Sequence, residues 1–255
     1  PMIEQAGGTR HGFTQRYGGV SKSPFDSLNL GLKRPDDPEA LEENYARLCR
    51  AAGLEREELA MAAYCHGDGV EIATCADRGK GFGRGEFPPC DGLVTAEKGV
   101  TLMTLHADCM PLFLYDPIRR ACGMVHSGWK GASLRIGGKA VSLMAEKLEC
   151  RPRDILVGIG PSICPDCFEV EEPVRSVFAG AFPQANAVME GRREGKFQVD
   201  LWRVMVWQLL EQGIEPGHIT LSGECTRHGP HYFSYRRDKT AVGNTGAMAG
   251  FMALI

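Results

Sequence analysis

The stretch HADCMPLFLYDPIRRACGMVHSGWKG, from His106 to Gly131, constrains the fold more than any other part of the chain. With the residues ahead of it, it forms three apolar runs of strand length: GVTLMTLHADC, PLFLYDP and RACGMVHSGW. Asp116-Pro117 supplies the turn between the second and third. Cys109 and His126 interrupt these runs where strands usually carry Val or Leu. A hairpin turning at Asp116-Pro117 brings the two side by side.

Helices are predicted on either side. DDPEALEENYARLCRAAG has apolar residues at Leu41, Tyr45, Leu48 and Ala52, with Asp37 as cap, Pro38 at the first helical position and Gly53 as the stop. A second helix carries Ile136, Ala140, Leu143, Met144 and Leu148 on one face. A third, DLWRVMVWQLLEQG, starts at Asp200 and stops at Gly213. DILVGIGPSI and HITLSGEC read as strands, GGVSKSPFDSLNLG as an ordered loop, and YFSYRRD as a loop near the end. Hairpin-like strands mixed with helices predict the α+β class, specifically a single-domain mixed-sheet α/β sandwich over residues 1–255. That length and a 43% hydrophobic content supply a substantial core.

A formal charge of −3 from 29 basic and 32 acidic residues argues against a nucleic-acid partner, which needs a basic excess. PMIEQAGGTRHGF has no apolar signal-peptide core, and the Gly-rich tail AVGNTGAMAGFMALI is shorter than the roughly 20 residues that span a bilayer. These features predict a soluble, cytoplasmic protein with no membrane partner. The ten cysteines are accordingly expected as reduced thiols rather than disulfides.

His66, in AYCHGDGVEI, joins Cys109 and His126 as a candidate soft-metal set. Two imidazoles and one thiolate leave a fourth position open, as in catalytic zinc sites. The plainer reading is three buried side chains satisfied by backbone. Asp108 is adjacent to the thiol and is a candidate partner or general base, whereas strand alternation places His106 on the opposite face from Cys109. Cys164 and Cys167, in CPDC, read as structural thiols, half a zinc site or a redox pair. Lys130 precedes a helix start, and Arg236 and Arg237 stand in SYRRD, so both segments are candidate anion binders.

The segments GGVSKSPFDSLNLG, His66-Gly67, DGLVT, ADCMPLFLYD, VHSGWKG, GPSICPDCFEV and YFSYRRD resemble, in order, the motifs of the YfiH-type laccase-domain family. It is also known as the multicopper polyphenol oxidase-like family and as a purine nucleoside phosphorylase family. The resemblance covers nearly the whole chain. It implies metal ligands at His66, Cys109 and His126, with zinc bound and copper as the alternative ion. It implies phosphorolysis of adenosine, inosine and methylthioadenosine by a purine nucleoside phosphorylase, with adenosine deaminase as a second activity. The catalytic set is then Cys109, His126 and Asp108. Ser21, Asn29, Lys130 and Arg236 are the candidates for binding purine nucleoside and phosphate. Two positions depart from the family pattern: Tyr64-Cys65 replaces Gln-Val ahead of the first histidine, and Ala247 replaces the arginine of a Thr-Gly-Arg segment. Three other readings stand beside this one. A copper-dependent polyphenol oxidase fits the soft ligands, although the chain has no His-x-His pair. A metal-free Cys-His hydrolase would use Cys109 and His126 directly. A structural zinc module would have no activity of its own.

Overall fold

In the computed structural model, which describes residues 2–185, 187–191 and 193–255, the elements follow in this order. Helix α1 (Met2–Ala6) and strand β1 (Thr9–Phe13) precede a long irregular segment and helix α2 (Pro38–Ala52). Strands β2 (Leu59–Met61), β3 (Val70–Ile72), β4 (Gly92–Thr95), β5 (Thr101–His106), β6 (Met110–Asp116) and β7 (Ala121–Ser127) come next. Helices α3 (Trp129–Ser133) and α4 (Ile136–Leu148) lead to β8 (Leu156–Ile159), β9 (Glu169–Val170), α5 (Glu172–Ala181), β10 (Val188–Glu190) and β11 (Phe197–Val199). Helix α6 (Leu201–Glu211), β12 (Ile219–Leu221), α7 (Tyr235–Val242) and β13 (Met248–Leu254) follow.

The strands form two large mixed sheets, ordered β1-β13-β5-β2 and β12-β8-β6-β7-β4-β3, and a small one, β10-β11-β9. The pairs β5/β2, β12/β8 and β3/β4 are parallel and the other pairs of the large sheets antiparallel. Strand alternation assigns each side chain to a layer. Phe113 and Tyr115 of β6, Cys122 and Met124 of β7, and Met252 and Leu254 of β13 meet between the two large sheets. Leu112 and Leu114 point the other way, against Ile136, Val141 and Met144 of α4 and Val204, Met205 and Leu209 of α6. Met103, Leu105, Ala249 and Phe251 face Tyr45 and Leu48 of α2. The result is an α/β/β/α sandwich. Because both large sheets are covered on both faces, β5, β6 and β7 read as continuous apolar runs rather than alternating ones. Leu112 is completely buried. Leu112→Ala is expected to lower the unfolding free energy by roughly 2–5 kcal/mol in a urea titration, and a loss below about 1 kcal/mol would contradict this packing.

The helix signals act as the sequence predicts. The Asp37 side chain accepts from Glu39 N–H at 3.0 Å, and Gly53, at φ 63°, closes α2 in the left-handed conformation. Asp200 caps α6 by accepting from Arg203 N–H at 2.9 Å.

One expectation is corrected, and one strand went unpredicted. Part of YFSYRRD is helical rather than loop: Ser234 caps α7 by accepting from Arg237 N–H at 3.2 Å, and Asp238 accepts in return from Ser234 N–H at 2.9 Å. This helix is short and polar, so apolar periodicity does not reveal it. The Gly-rich tail contains β13, an interior strand of the four-stranded sheet. Its small residues are a packing requirement, since a Cβ on Gly250 would lie 2.7 Å from the Met124 methyl of the facing sheet. Among the described residues no helix is long and apolar enough to cross a membrane.

Candidate metal centre

The β6–β7 hairpin performs the juxtaposition expected of it. Its register sets Met110 opposite Ser127 and Pro111 opposite His126, so Cys109, just before β6, lies beside His126. His66 arrives from the loop between β2 and β3. The donor atoms of His66, Cys109 and His126 all lie within 4.8 Å of one another. Tyr64, His66 and Asp108, all at this site, are three of the six described non-glycine residues with positive φ. Such strained backbone gathers where a functional geometry must be held. Gly128 completes the approach, because a Cβ there would stand 3.2 Å from the Cys109 sulfur and 3.3 Å from His66 Cδ2.

Asp91, at the start of the DGLVT segment, organises the cluster. One oxygen receives His126 Nδ1 and His66 N–H, each at 2.9 Å. The other receives the Cys65 thiol at 2.9 Å and Gly67 N–H at 2.6 Å. Burial opposes ionisation of Asp91, but the hydrogen bonds from His126 and Cys65 outweigh it and hold the carboxyl well below the usual carboxylate range. With Nδ1 committed to Asp91, His126 directs Nε2 inward, and that buried nitrogen has no hydrogen-bond partner. A carboxylate behind one imidazole nitrogen and a bare opposite nitrogen beside a thiol are what a ligating histidine requires. The residues therefore fit a three-coordinate metal site with an open position.

The electrostatics favour a thiolate–imidazolium pair, and a metal ion would displace the imidazole proton. Burial pushes the Cys109 thiol up, yet the charge on His126 and the nearby His66 bring it down to about 7. Burial pulls His126 down, but the Cys109 charge and the Asp91 hydrogen bond raise it to about 9. The sulfur is thus ionised near neutrality, the form that ligates metals or attacks as a nucleophile. Burial, reinforced by the His126 charge, holds His106 well below its usual range and so neutral. His106 is not on the opposite side of the chain from the site: its ring centroid lies 5.2 Å from that of His126, and Nδ1 is 3.1 Å from Cys109 O. Alternation fails here because β5 ends at His106 and the chain turns at Asp108, φ 87°.

A cavity of about 770 Å³ opens beside the cluster. Its wall includes His66, Cys109, Tyr64, Phe168, Trp129 and Tyr235, together with the cations Lys33, Arg34 and Arg236. Asp108 also lines it, but both carboxylate oxygens are engaged, by Thr226 Oγ1 at 2.6 Å, Ser234 Oγ at 3.0 Å and Arg236 N–H at 2.7 Å. The Arg236 guanidinium donates to Cys167 O and Glu169 O. Arg237 turns instead to the backbone carbonyls of Thr226, Gly229 and Tyr232. Ser21 and Asn29 do not line the cavity. They are buried around Asn44, whose Nδ2 donates to Ser21 Oγ and Asn29 O, each at 2.8 Å, and so they order the 18–31 loop. Lys130 also lies outside it, beside a smaller depression shared with Cys65, His66 and Trp129. Both departing segments lie here: Tyr64 packs 4.6 Å from the His126 ring, Cys65 bonds Asp91, and Ala247 lines the cavity.

Sequence reasoning gave no role to Asp91 or Arg34. A signal for Asp91 was its place in a motif beginning just before a buried strand. Arg34, in LKRPDD, looks like any solvated turn residue.

Known proteins share this architecture. Residues 10–255 match the family described as multi-copper polyphenol oxidoreductase laccase. A purine nucleoside phosphorylase of Deinococcus radiodurans is 39% identical over 240 residues, covering 94% of this chain and 88% of that protein. The purine nucleoside phosphorylase YlmD of Bacillus subtilis is 34% identical over 246 residues, covering 95% and 87%. The crystal structure of YlmD from Geobacillus stearothermophilus superposes with a TM-score of 0.92 at 33% identity, covering 99% of this chain and 94% of that one. With nearly its full length matched in sequence and in fold, this chain belongs to the multi-copper polyphenol oxidoreductase laccase family, the YfiH/YlmD type whose relatives carry the name purine nucleoside phosphorylase.

Proposed function

We propose that this chain is a zinc-dependent purine nucleoside phosphorylase of the cytoplasm that acts on adenosine, inosine and methylthioadenosine, with adenosine deamination as a second activity. The observation that carries the reading is a cavity of about 770 Å³, walled by aromatic rings and three cations, against the open side of a thiolate–bis-imidazole cluster. That volume suits a nucleoside with a phosphate beside it. The relatives' names support the reading. A zinc ion held by His66, Cys109 and His126 would supply Lewis acidity and a water of low pKa.

The chain's own groups do the rest. Phe168, Tyr235 and Trp129 offer flat faces to a purine. Phosphate needs cationic donors near C1′ of the ribose, and Arg34 and Lys33 are better placed than Lys130, which lies outside the cavity. Among the described residues the Arg34 guanidinium forms no hydrogen bond or ion pair, leaving its planar fork for an anion. Arg236 also lines the cavity while tied to Cys167 O and Glu169 O. Asp108 acts as a positioning residue, fixing the backbone from which Cys109 projects.

Two measurements test this. Release of hypoxanthine from inosine should rise at least about tenfold on adding phosphate, should stop on chelation and should return with zinc. Turnover that survives metal removal would mean a Cys-His hydrolase. Base release indifferent to phosphate would sink phosphorolysis. Copper-dependent phenol oxidation without nucleoside turnover would favour the oxidase reading.

A further inference from the structure

The CPDC motif has partners that its sequence neighbourhood does not show. Cys164 caps and Cys167 ends a single helical turn, Pro165–Cys167, in the loop after β8. Cys225 and His228 follow β12 with the same two-residue spacer. The fold brings these pairs together, and their four donor atoms all lie within 4.8 Å of one another. His228 Nε2 lies 3.0 Å from the Cys167 sulfur. Backbone and side-chain donors already point at the sulfurs: Cys164 N–H at 3.4 Å from Cys225 Sγ, and Arg227 Nη1 at 3.4 Å from Cys167 Sγ. Each pair is also bent into a tight turn, by Cys167 N–H to Cys164 O at 3.0 Å and by Gly229 N–H to Cys225 O at 2.8 Å.

We propose that Cys164, Cys167, Cys225 and His228 form a second metal site, a closed Cys₃His site for a structural zinc ion. Two C-x₂-[CH] turns facing each other give the soft, four-donor set that tetrahedral zinc takes when it stabilises a fold rather than catalysing a reaction. With Zn–S of about 2.3 Å and Zn–N of about 2.0 Å, tetrahedral donors stand roughly 3.5–3.8 Å apart, so the present spacing, 3.0 Å between His228 Nε2 and Cys167 Sγ and at most 4.8 Å overall, needs only small adjustments in both directions. A redox pair explains Cys164 and Cys167 but leaves the convergence of Cys225 and His228 without a purpose.

The site joins two segments that otherwise share a short parallel bridge at Ser162 and Cys225. One segment leads into Phe168 and Glu169 of the cavity wall. The other carries Thr226, which donates to Asp108. Arg236 ties to both: its guanidinium donates to Cys167 O, and its backbone N–H donates to Asp108, the carboxylate that Thr226 also holds. The proposed ion is therefore a staple behind the substrate cavity, and it stands whatever reaction the first cluster performs.

The test uses the full chain produced with zinc and reductant. In Cys109→Ser protein, which lacks the anionic ligand of the first cluster, elemental analysis should still find about one zinc per chain. Zinc-edge X-ray absorption should show three sulfurs at about 2.3 Å and one nitrogen at about 2.0 Å. Adding Cys164→Ser and Cys167→Ser should remove that zinc. Should these variants fail to fold, the unmodified protein decides by itself: two sites average two sulfurs per zinc, while the first cluster alone supplies one. A folded Cys109→Ser protein without zinc, or unmodified protein with a single sulfur per zinc, overturns the proposal, as does a disulfide recovered between any two of these cysteines under reducing conditions.

Discussion

Cys109→Ser is expected to lower nucleoside turnover by at least about 10²-fold with the fold intact. Replacing groups that merely touch a metal ligand costs 10–100-fold in metal affinity or activity, and loss of a ligand should cost no less. Cys109 is the only anionic donor of the first cluster, so two neutral imidazoles remain to hold a dication. The change is nearly isosteric and the hairpin beneath it is undisturbed, so circular dichroism and the unfolding midpoint should stay close to those of the unmodified protein. Dialysis against a graded zinc buffer, followed by a turnover assay at each free zinc concentration, separates the effects. Activity that returns at high zinc would place the defect in affinity. Activity that persists at ordinary zinc would remove Cys109 from the centre altogether.

Asp91→Asn should produce the second large effect, and through stability as well as activity. All four hydrogen-bonding partners described above donate to this carboxylate, so an amide NH₂ would turn a donor toward donors inside a buried site. Breaking a buried, hydrogen-bonded ion pair costs about 3–5 kcal/mol, which for a chain of this size lowers the melting temperature by roughly 6–20 °C. Zinc affinity should fall 10–100-fold because His126 loses the group that fixes its tautomer. The pH dependence adds a signature. The folded-state pKa of Asp91 is depressed, so its contribution is fully present above the unfolded value of about 3.9 and fades as the pH falls below it. The variant should therefore show a flatter acid limb in its stability curve. A limb as steep as that of the unmodified protein would mean that Asp91 does not carry the linkage.

How much of this was legible in the sequence depends on where each signal lies. Cys109 and His126 were readable because one hairpin with a plain turn joins them, and the caps of α2 and α6 because a cap is a local event. β13 was not, because its Gly and Ala positions answer to the facing sheet, as Gly250 does to Met124. His106 misled because alternation was carried past the end of β5. Asp91 holds its place through backbone donors that only the folded loop supplies. The partners of CPDC lie 61 residues away along the chain, so no local spacing could announce them.

The place of β13 sets the tempo of assembly. It lies between β1 and β5, and its register joins Leu254 to Thr9 and Met248 to His106. Until residues 248–254 have been synthesised, β1 has no neighbour and β5 is open along one edge. Closing so long a loop is an entropic barrier that local contacts cannot lower, and such non-local pairings form late. The nascent chain therefore carries an exposed, apolar β5 edge from the synthesis of β5 until that of β13, the kind of surface that invites strand addition from a stranger and that chaperones serve to cover.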